Sequence, residues 1–446
     1  MDFAEQHCAA RKRHTPSRKH TEYWNGGIPW IGIKDATENH GRTLFDTNQH
    51  VSQLGLENSS ARLLPANTVC LSRTASVGYV VVMGCPMATS QDFVNWVCGP
   101  KIEPHYLKYV LLAETEALWR FASGTTHQTI YYPEAKAFHV CLPPLAEQKG
   151  IARVLGALDD KIELNRRMNT TLEAMARALF QSWFVDFDPV KANAAGEGFN
   201  SPGLPPDLFP ATFQDSELGS IPKGWRVAQV GEVASRIAMG PFGSRITRDN
   251  FVPDGVPVVR GGNLTNGFVD DNFVFLTDAK ADDLKASVAR PLDIVFTHRG
   301  TLGQVGIIPM SARYPRYVVS QSQMFLAVDR EKLSPWAAYL FFSSSQGEAA
   351  LLANTSTTGV PAISRPTTSL KAIQLVVPPI SVANRFDELV QPLFLQREQI
   401  AHQSRTLADL RDTLLPKLLS GELSVAEATC KQDIHIQPGG RRTHER

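Results

Sequence analysis

Cysteine is scarce in this chain: six occur among 446 residues. Cys8, Cys70, Cys85, Cys98, Cys141 and Cys430 form no C-x-x-C pair and have no nearby histidine pattern. They read as free thiols in a reducing cytoplasm, with no zinc or other metal site among them. No apolar run approaches the roughly 20 residues of a membrane span. Tyr79 to Met83 reads as a buried strand, and the N-terminus lacks the apolar core of a secretion signal. Bulk charge says little: the formal net charge is +1, so a nucleic-acid partner has to be argued from local distribution. Enzyme signatures are missing as well. There is no G-x-x-x-x-G-K-[ST] phosphate loop, and the twelve histidines are scattered or terminal. An amino-methyltransferase needs Asn/Asp-Pro-Pro-aromatic, which neither Pro143-Pro144, Pro378-Pro379 nor Asp188-Pro189 supplies.

A loose nuclease pattern, Pro-Asp followed by Asp-x-Lys, can be drawn from Pro253-Asp254 and Asp278-Ala279-Lys280. The carboxylates would hold a metal and the lysine would orient water. Turn chemistry at Pro253-Asp254-Gly255 and helix-cap signals around Asp278 account for the same residues.

What the chain does contain is a repeat. Pro143-Pro144 and Pro378-Pro379 each open a long amphipathic stretch, and the two align without gaps. Ile151 falls on Phe386, Leu155 on Val390, Leu158 on Leu393, Leu172 on Leu407, Leu179 on Leu414 and Trp183 on Leu418. The spacing, with Ile162 completing the first set, alternates threes and fours, the seam of a coiled coil. At about 1.5 Å per residue, residues 146–184 would span about 58 Å, more than a domain of this size needs. Such helices satisfy their seams against each other or a partner. Asn165 and Asn169 on one seam, and Arg397, Ser404 and Arg411 on the other, suit register-fixing contacts between the two.

Each long helix follows a globular segment, and the globules repeat too. Ile28 to Ile33, Val69 to Leu71, Tyr79 to Val82 and Phe93 to Val97 read as strands, and Glu103 to Arg120 as a helix. Val256-Pro257-Val258-Val259 echoes Ile28-Pro29-Trp30-Ile31, and Asp293 to Thr297 echoes Thr68 to Ser72. Arg299-Gly300-Thr301-Leu302-Gly303 echoes Thr74-Ala75-Ser76-Val77-Gly78; Ser320-Gln321 echoes Ser90-Gln91; Thr357-Thr358 with Ile363 echoes Thr125-Thr126 with Ile130. The expected class is α+β: a tandem repeat of two α/β domains separated by two long antiparallel coiled-coil helices. The boundaries are 1–142 for the first domain, 143–186 for the first helix and 187–223 for a proline- and glycine-rich surface loop. The second domain takes 224–377, the second helix 378–421 with Gly421 as its stop, and a polar tail 422–446.

Spacing is kept between the domains while most side chains change, as expected of one scaffold presenting two surfaces. Basic and amide residues gather on their loops: Lys34, Arg73, Thr74 and Gln91 in the first; Arg245, Arg248, Arg260, Asn263, Arg299, Gln321 and Gln323 in the second. Arginine suits bidentate contact with guanine, and amides suit adenine. Phosphate contacts would come from the same loops.

At this point the chain resembles the DNA-specificity (S) subunit of type I restriction–modification enzymes. The resemblance rests on Leu142-Pro143-Pro144-Leu145-Ala146-Glu147-Gln148-Lys149, Leu158-Asp159-Asp160-Lys161-Ile162-Glu163-Leu164-Asn165 and Trp183-Phe184-Val185-Asp186-Phe187-Asp188-Pro189-Val190. It extends to Ile221-Pro222-Lys223-Gly224-Trp225, Gly240-Pro241-Phe242-Gly243-Ser244 and Leu414-Leu415-Pro416-Lys417-Leu418-Leu419-Ser420-Gly421. It implies two target-recognition domains, each reading one half of a split, asymmetric site in double-stranded DNA. The seam helices would dock two modification (M) subunits, and motor-nuclease (R) subunits would join that core. It implies no catalytic centre here: S-adenosylmethionine, ATP and Mg would belong to the partner subunits. One departure stands out. The second domain opens with a strand near Trp225 to Val233, whose counterpart would precede Met1, so the first domain is expected to lack its opening strand. The rival readings are a stand-alone nuclease or methyltransferase, and a coiled-coil scaffold without DNA readout.

Overall fold

The computed structural model describes residues 15–426 apart from 75, 123–127, 132–139, 200–203, 206, 266 and 357–358. The N-terminal stretch Met1 to Arg13, most of the polar tail, and the threonine pairs Thr125-Thr126 and Thr357-Thr358 lie outside the described residues. The chain is α+β and forms two compact units, residues 1–164 with 403–446, and residues 165–402.

In the first unit a three-stranded sheet places Trp24–Ile31 between Gln49–Val51, antiparallel, and Ala88–Thr89, parallel. A four-stranded sheet runs Thr43–Leu44, Val80–Met83, Val69–Ser72, Phe93–Trp96. Its central strands, VCLS and VVVM, are largely apolar and fully buried, as sheets covered on both faces require. The second unit repeats this plan. Val256–Val259 lies between Val274–Leu276, antiparallel, and Tyr317–Val319, parallel. Ile294–Thr297 lies between Val305–Ile307 and Gln323–Val328, both antiparallel. One strand differs. Ala234–Met239 pairs along Gln323–Val328, whereas the matching Phe93–Trp96 has a strand on one side only among the described residues.

The long helices run Leu145–Phe180, continued by a π-helical turn Gln181–Val185, and Ile380–Ser420. Gly421 follows at φ +77°, the left-handed stop expected of it. In the first unit the start of the first helix packs on the end of the second: Ile151, Leu155 and Leu158 share a core with Leu414, Leu418, Tyr106 and Tyr109. In the second unit the relation is reversed, with Phe180, Trp183 and Phe184 packed on Phe386, Val390 and Phe394. Trp183 and Phe386 centroids are 5.8 Å apart, and Phe184 meets Phe386 edge-on at 4.8 Å. Each half-pair is therefore antiparallel, and the repeat alignment is the pseudo-symmetry of that packing.

Three sequence expectations change. The stretch 187–223 is not all loop: it holds helix Asp188–Ala194 and the hairpin Phe213–Ser216/Gly219–Pro222. Pro189 sits in the first turn, where a missing N–H costs nothing, after Phe187 in a left-handed conformation. The region Trp225 to Val233 is a strand, Arg226–Gln229, followed by a short helix, Val230–Val233. Glu103 to Arg120 is two helices, Pro104–Ala113 and Thr115–Phe121.

One buried carboxylate makes stability pH-dependent. Asp293 precedes the central strand Ile294–Thr297, accepts the Arg290 backbone N–H at 2.9 Å and lies 3.7 Å from the Arg236 guanidinium. Burial outweighs these contacts and pushes its carboxyl up to about 6. Its contribution to stability is fully present below the unfolded value and is lost as pH rises through the folded one. Asp293→Asn should therefore gain on the parent protein by about 2 kcal/mol between pH 4.5 and 7.5. Urea unfolding of both proteins at the two pH values checks it; a pH-independent difference would refute it.

Candidate nucleic-acid interface

Strand register in the second unit brings several loops to one edge. Thr297 pairs with Gln323 and Met239 with Met324, so the segments after Thr297 and Met239 lie beside the turn before Gln323. The parallel pairing of Val259 with Val319 brings the segment after Val259 to the same turn. Backbone hydrogen bonds lock the group: Ser320 N to Val259 O at 2.9 Å, His298 N to Ser322 O at 2.9 Å, and Ile363 N to His298 O at 2.9 Å. Gly240 donates to Gln323 O at 2.9 Å. A Cβ at Gly240 would fall 1.9 Å from the Ser320 carbonyl oxygen, so only glycine lets the chain lie this close.

The first unit builds the same frame. Ser90 N donates to Ile31 O at 3.1 Å, Arg73 N to Asp92 O at 2.7 Å, and Ile130 N to Arg73 O at 2.9 Å. Even the turn clamp recurs. The Asp35 carboxylate accepts Gly32 N at 2.9 Å and Asn48 N at 2.9 Å, while Asn263 Oδ1 accepts Arg260 N at 3.0 Å.

On this frame the candidate side chains divide. Lys34 is exposed, 3.8 Å from Glu38 on its own helix. Gln91 is exposed; Arg73 is half-buried and donates to the Gln91 carbonyl at 3.0 Å; Thr74 bridges to Thr129. In the second unit Arg245, Arg248, Arg260, Arg299 and Gln321 are exposed. Arg245 lies 3.4 Å from Asp283, and Arg260 donates to the Asn272 carbonyl at 3.2 Å. Arg248 and Arg299 have no ion pair among the described residues.

Asn263 and Gln323 do not belong with them. Asn263 is 3% exposed and donates to the carbonyls of Val269 at 3.3 Å and Asp271 at 2.7 Å. Gln323 is 1% exposed, donates to Thr297 Oγ1 at 3.3 Å and accepts from Ser320 Oγ. Their amides hold the loops in shape rather than facing solvent. Neighbouring His298 is also buried, and burial holds its imidazole below the ordinary histidine range.

The seam side chains are occupied inside the chain. Ile151, Leu155, Leu158, Leu414 and Leu418 are core in the first unit, with Leu407 packed against them; Trp183, Phe386 and Val390 are core in the second, with Leu179 and Leu393 packed against them. Leu172 is buried and Ile162 half-buried. They are not a free face for another subunit. Two seam arginines do make the expected cross-helix contacts: Arg397 meets Glu173 at 2.7 Å, and Arg411 meets Asp159 at 2.9 Å.

The nuclease pattern dissolves into cap and ion-pair chemistry. Thr277 caps helix Asp278–Asp283 by accepting from Lys280 N, Arg316 pairs with Asp278 and Asp282 at 2.5 Å each, and Lys280 pairs with Asp283 at 3.3 Å. Among the described residues no group of acidic, histidine or cysteine side chains is placed to hold a metal, and no helix is long and apolar enough to cross a membrane.

A family model, the type I restriction modification DNA specificity domain, matches residues 3–174. The chain is 27% identical over 419 residues to the type I restriction enzyme MjaIX specificity subunit of Methanocaldococcus jannaschii, covering 93% of this chain and 90% of that one. It is 25% identical over 391 residues to the HindI specificity subunit of Haemophilus influenzae, covering 74% and 82%. A solved type I S subunit from M. genitalium aligns over 92% of both chains at 15% identity and a TM-score of 0.48, too distant to add to these matches. The chain is thus similar to the type I restriction–modification specificity domain over its first repeat, and to a curated type I specificity subunit over nearly its full length.

Proposed function

We propose that this chain is the non-catalytic DNA-reading subunit of a type I restriction–modification complex, working in the cytoplasm. Each unit reads one half of a bipartite, asymmetric site in double-stranded DNA, and the long helices set the spacing. Two M subunits dock on the helices and R subunits join through them; S-adenosylmethionine, ATP and Mg bind those partners. The observation that carries this reading is the repeated loop frame with different side chains on it. Where the first unit has Gly32 and Thr74, the second has Arg260 and Arg299, on backbone held by matching hydrogen bonds. One frame with two chemistries is what two unlike half-sites require. Because the helix seams are filled within the chain, docking uses outward-facing side chains such as Leu164 and Met175, which are 50% and 49% exposed.

The test is genome-wide methylation mapping after coexpression with the cognate M subunits. A four-residue insertion between Asn165 and Leu172 lengthens the helix by about 6 Å, close to two base pairs at about 3.4 Å each. Both half-sequences should persist with a spacer longer by one or two base pairs. Unchanged spacing at full activity would refute the spacing role. Turnover by the purified chain alone, with Mg²⁺ or S-adenosylmethionine, would refute the non-catalytic one.

A further inference from the structure

Phe242 is 75% exposed, the most exposed large apolar side chain among the described residues. The turn that carries it is held firmly. Gly240 is pinned flat against the Ser320–Gln321 backbone, Pro241 is buried, and Gly243 takes φ +67°. The ring thus stands out from a fixed backbone, on the edge where Arg260, Arg299 and Gln321 are exposed. Arg245, three residues on, is exposed with Asp283 beside it.

An apolar ring on an edge that also carries exposed cations fits a polyanion with an apolar group within reach of its charges better than it fits an apolar protein face. In the major groove of DNA, where arginine and glutamine read base edges, that group is the 5-methyl of thymine. The matching position of the first unit carries no aromatic ring. With Pro16-Ser17-Arg18 matched to Gly243-Ser244-Arg245, the residue at the Phe242 position is Thr15.

We propose that Phe242 is a specificity residue of the second unit, reading one thymine of the second half-site by packing its ring on the 5-methyl group. The inference rests on the DNA-reading function above, and the test separates the two. The full chain, assembled with its cognate M subunits, is titrated with duplexes carrying the mapped site. Each thymine of both half-sites is replaced singly by deoxyuridine, which removes only the methyl group.

One replacement in the second half-site should weaken binding of the parent protein about four-fold, the worth of one buried methyl. Phe242→Ala should weaken binding to the unmodified duplex by at least as much. The same deoxyuridine should then have no further effect on Phe242→Ala, the coupling expected of two groups in contact. Replacements in the first half-site should act alike on both proteins. Deoxyuridine effects that are identical in parent and variant at every position would overturn the assignment. So would a variant that binds DNA normally but no longer retains the M subunits, since the ring would then be a protein contact. Absence of any sequence-selective binding by the parent would instead defeat the DNA-reading function itself. Because Phe242 contributes little to the core, matched thermal melts of the two proteins establish that the variant is folded.

Discussion

Asp159→Ala is expected to destabilise the protein by about 3–5 kcal/mol, the cost of leaving buried charges unpaired. The Asp159 carboxylate gathers donors from elements far apart in sequence. Lys108 Nζ reaches it at 2.9 Å and Tyr109 Oη at 2.6 Å, both from helix Pro104–Ala113; Arg411 Nη1 reaches it at 2.9 Å from the second long helix. Lys108 is 4% exposed and Tyr109 fully buried. Burial alone would raise the Asp159 carboxyl, but Lys108, Tyr109 and Arg411 together hold it below the ordinary carboxylate range. Burial holds the Lys108 ammonium below its ordinary value, so the cation is retained there at a cost that Asp159 offsets. The paired carboxylate contributes stability above its unfolded value, lost as pH falls through the folded one. Neighbouring Asp160 is exposed, and Asp160→Ala should stay within about 0.5 kcal/mol of the parent. Equilibrium urea unfolding of the full chain measures both. Equal midpoints for Asp159→Ala and Asp160→Ala would show that the cluster contributes nothing.

Arg299→Ala is expected to relax the second half-site alone, costing about 1–3 kcal/mol of discrimination at one base pair. The guanidinium is exposed and has no ion pair among the described residues, and its backbone is bridged to Ala362. It is therefore presented on a fixed loop with its donors unspent. A phosphate-binding arginine would behave differently. Its loss would weaken all sequences alike and lower the salt slope by about one. Methylation mapping with the cognate M subunits, together with a salt titration of binding, separates the two. Unaltered site choice and unaltered salt slope would remove Arg299 from the interface.

The parts of this molecule legible in its sequence are those with a period or a repeat. The seam positions from Ile151 to Trp183, and from Phe386 to Leu418, recur at helical spacing, and all but a few are buried. Val69–Ser72 and Val80–Met83 are short apolar runs and fall where expected. Which loop amides face solvent was not legible. Asn263 and Gln323 look like Gln91 and Gln321 in the sequence. Only the packing of two sheet ends, which brings the Asp271 carbonyl and the Thr297 hydroxyl within reach, turns their amides inward. Phe242 had a signal, a large apolar residue between Pro241 and Gly243 in a turn. That signal cannot distinguish a buried anchor from a presented ring.

The sequence by itself determined the tandem architecture, the two long helices and the loops that carry the candidate contacts. Hydrophobic periodicity and turn chemistry are local properties, satisfied within a few residues. Only the tertiary structure decided which polar groups are spent and which are free. Asp159 finds Lys108 at a separation of 51 residues and Arg411 at 252. Whether a charge or amide is neutralised depends on what the fold places within about 3 Å of it, at distances along the chain that no local pattern records.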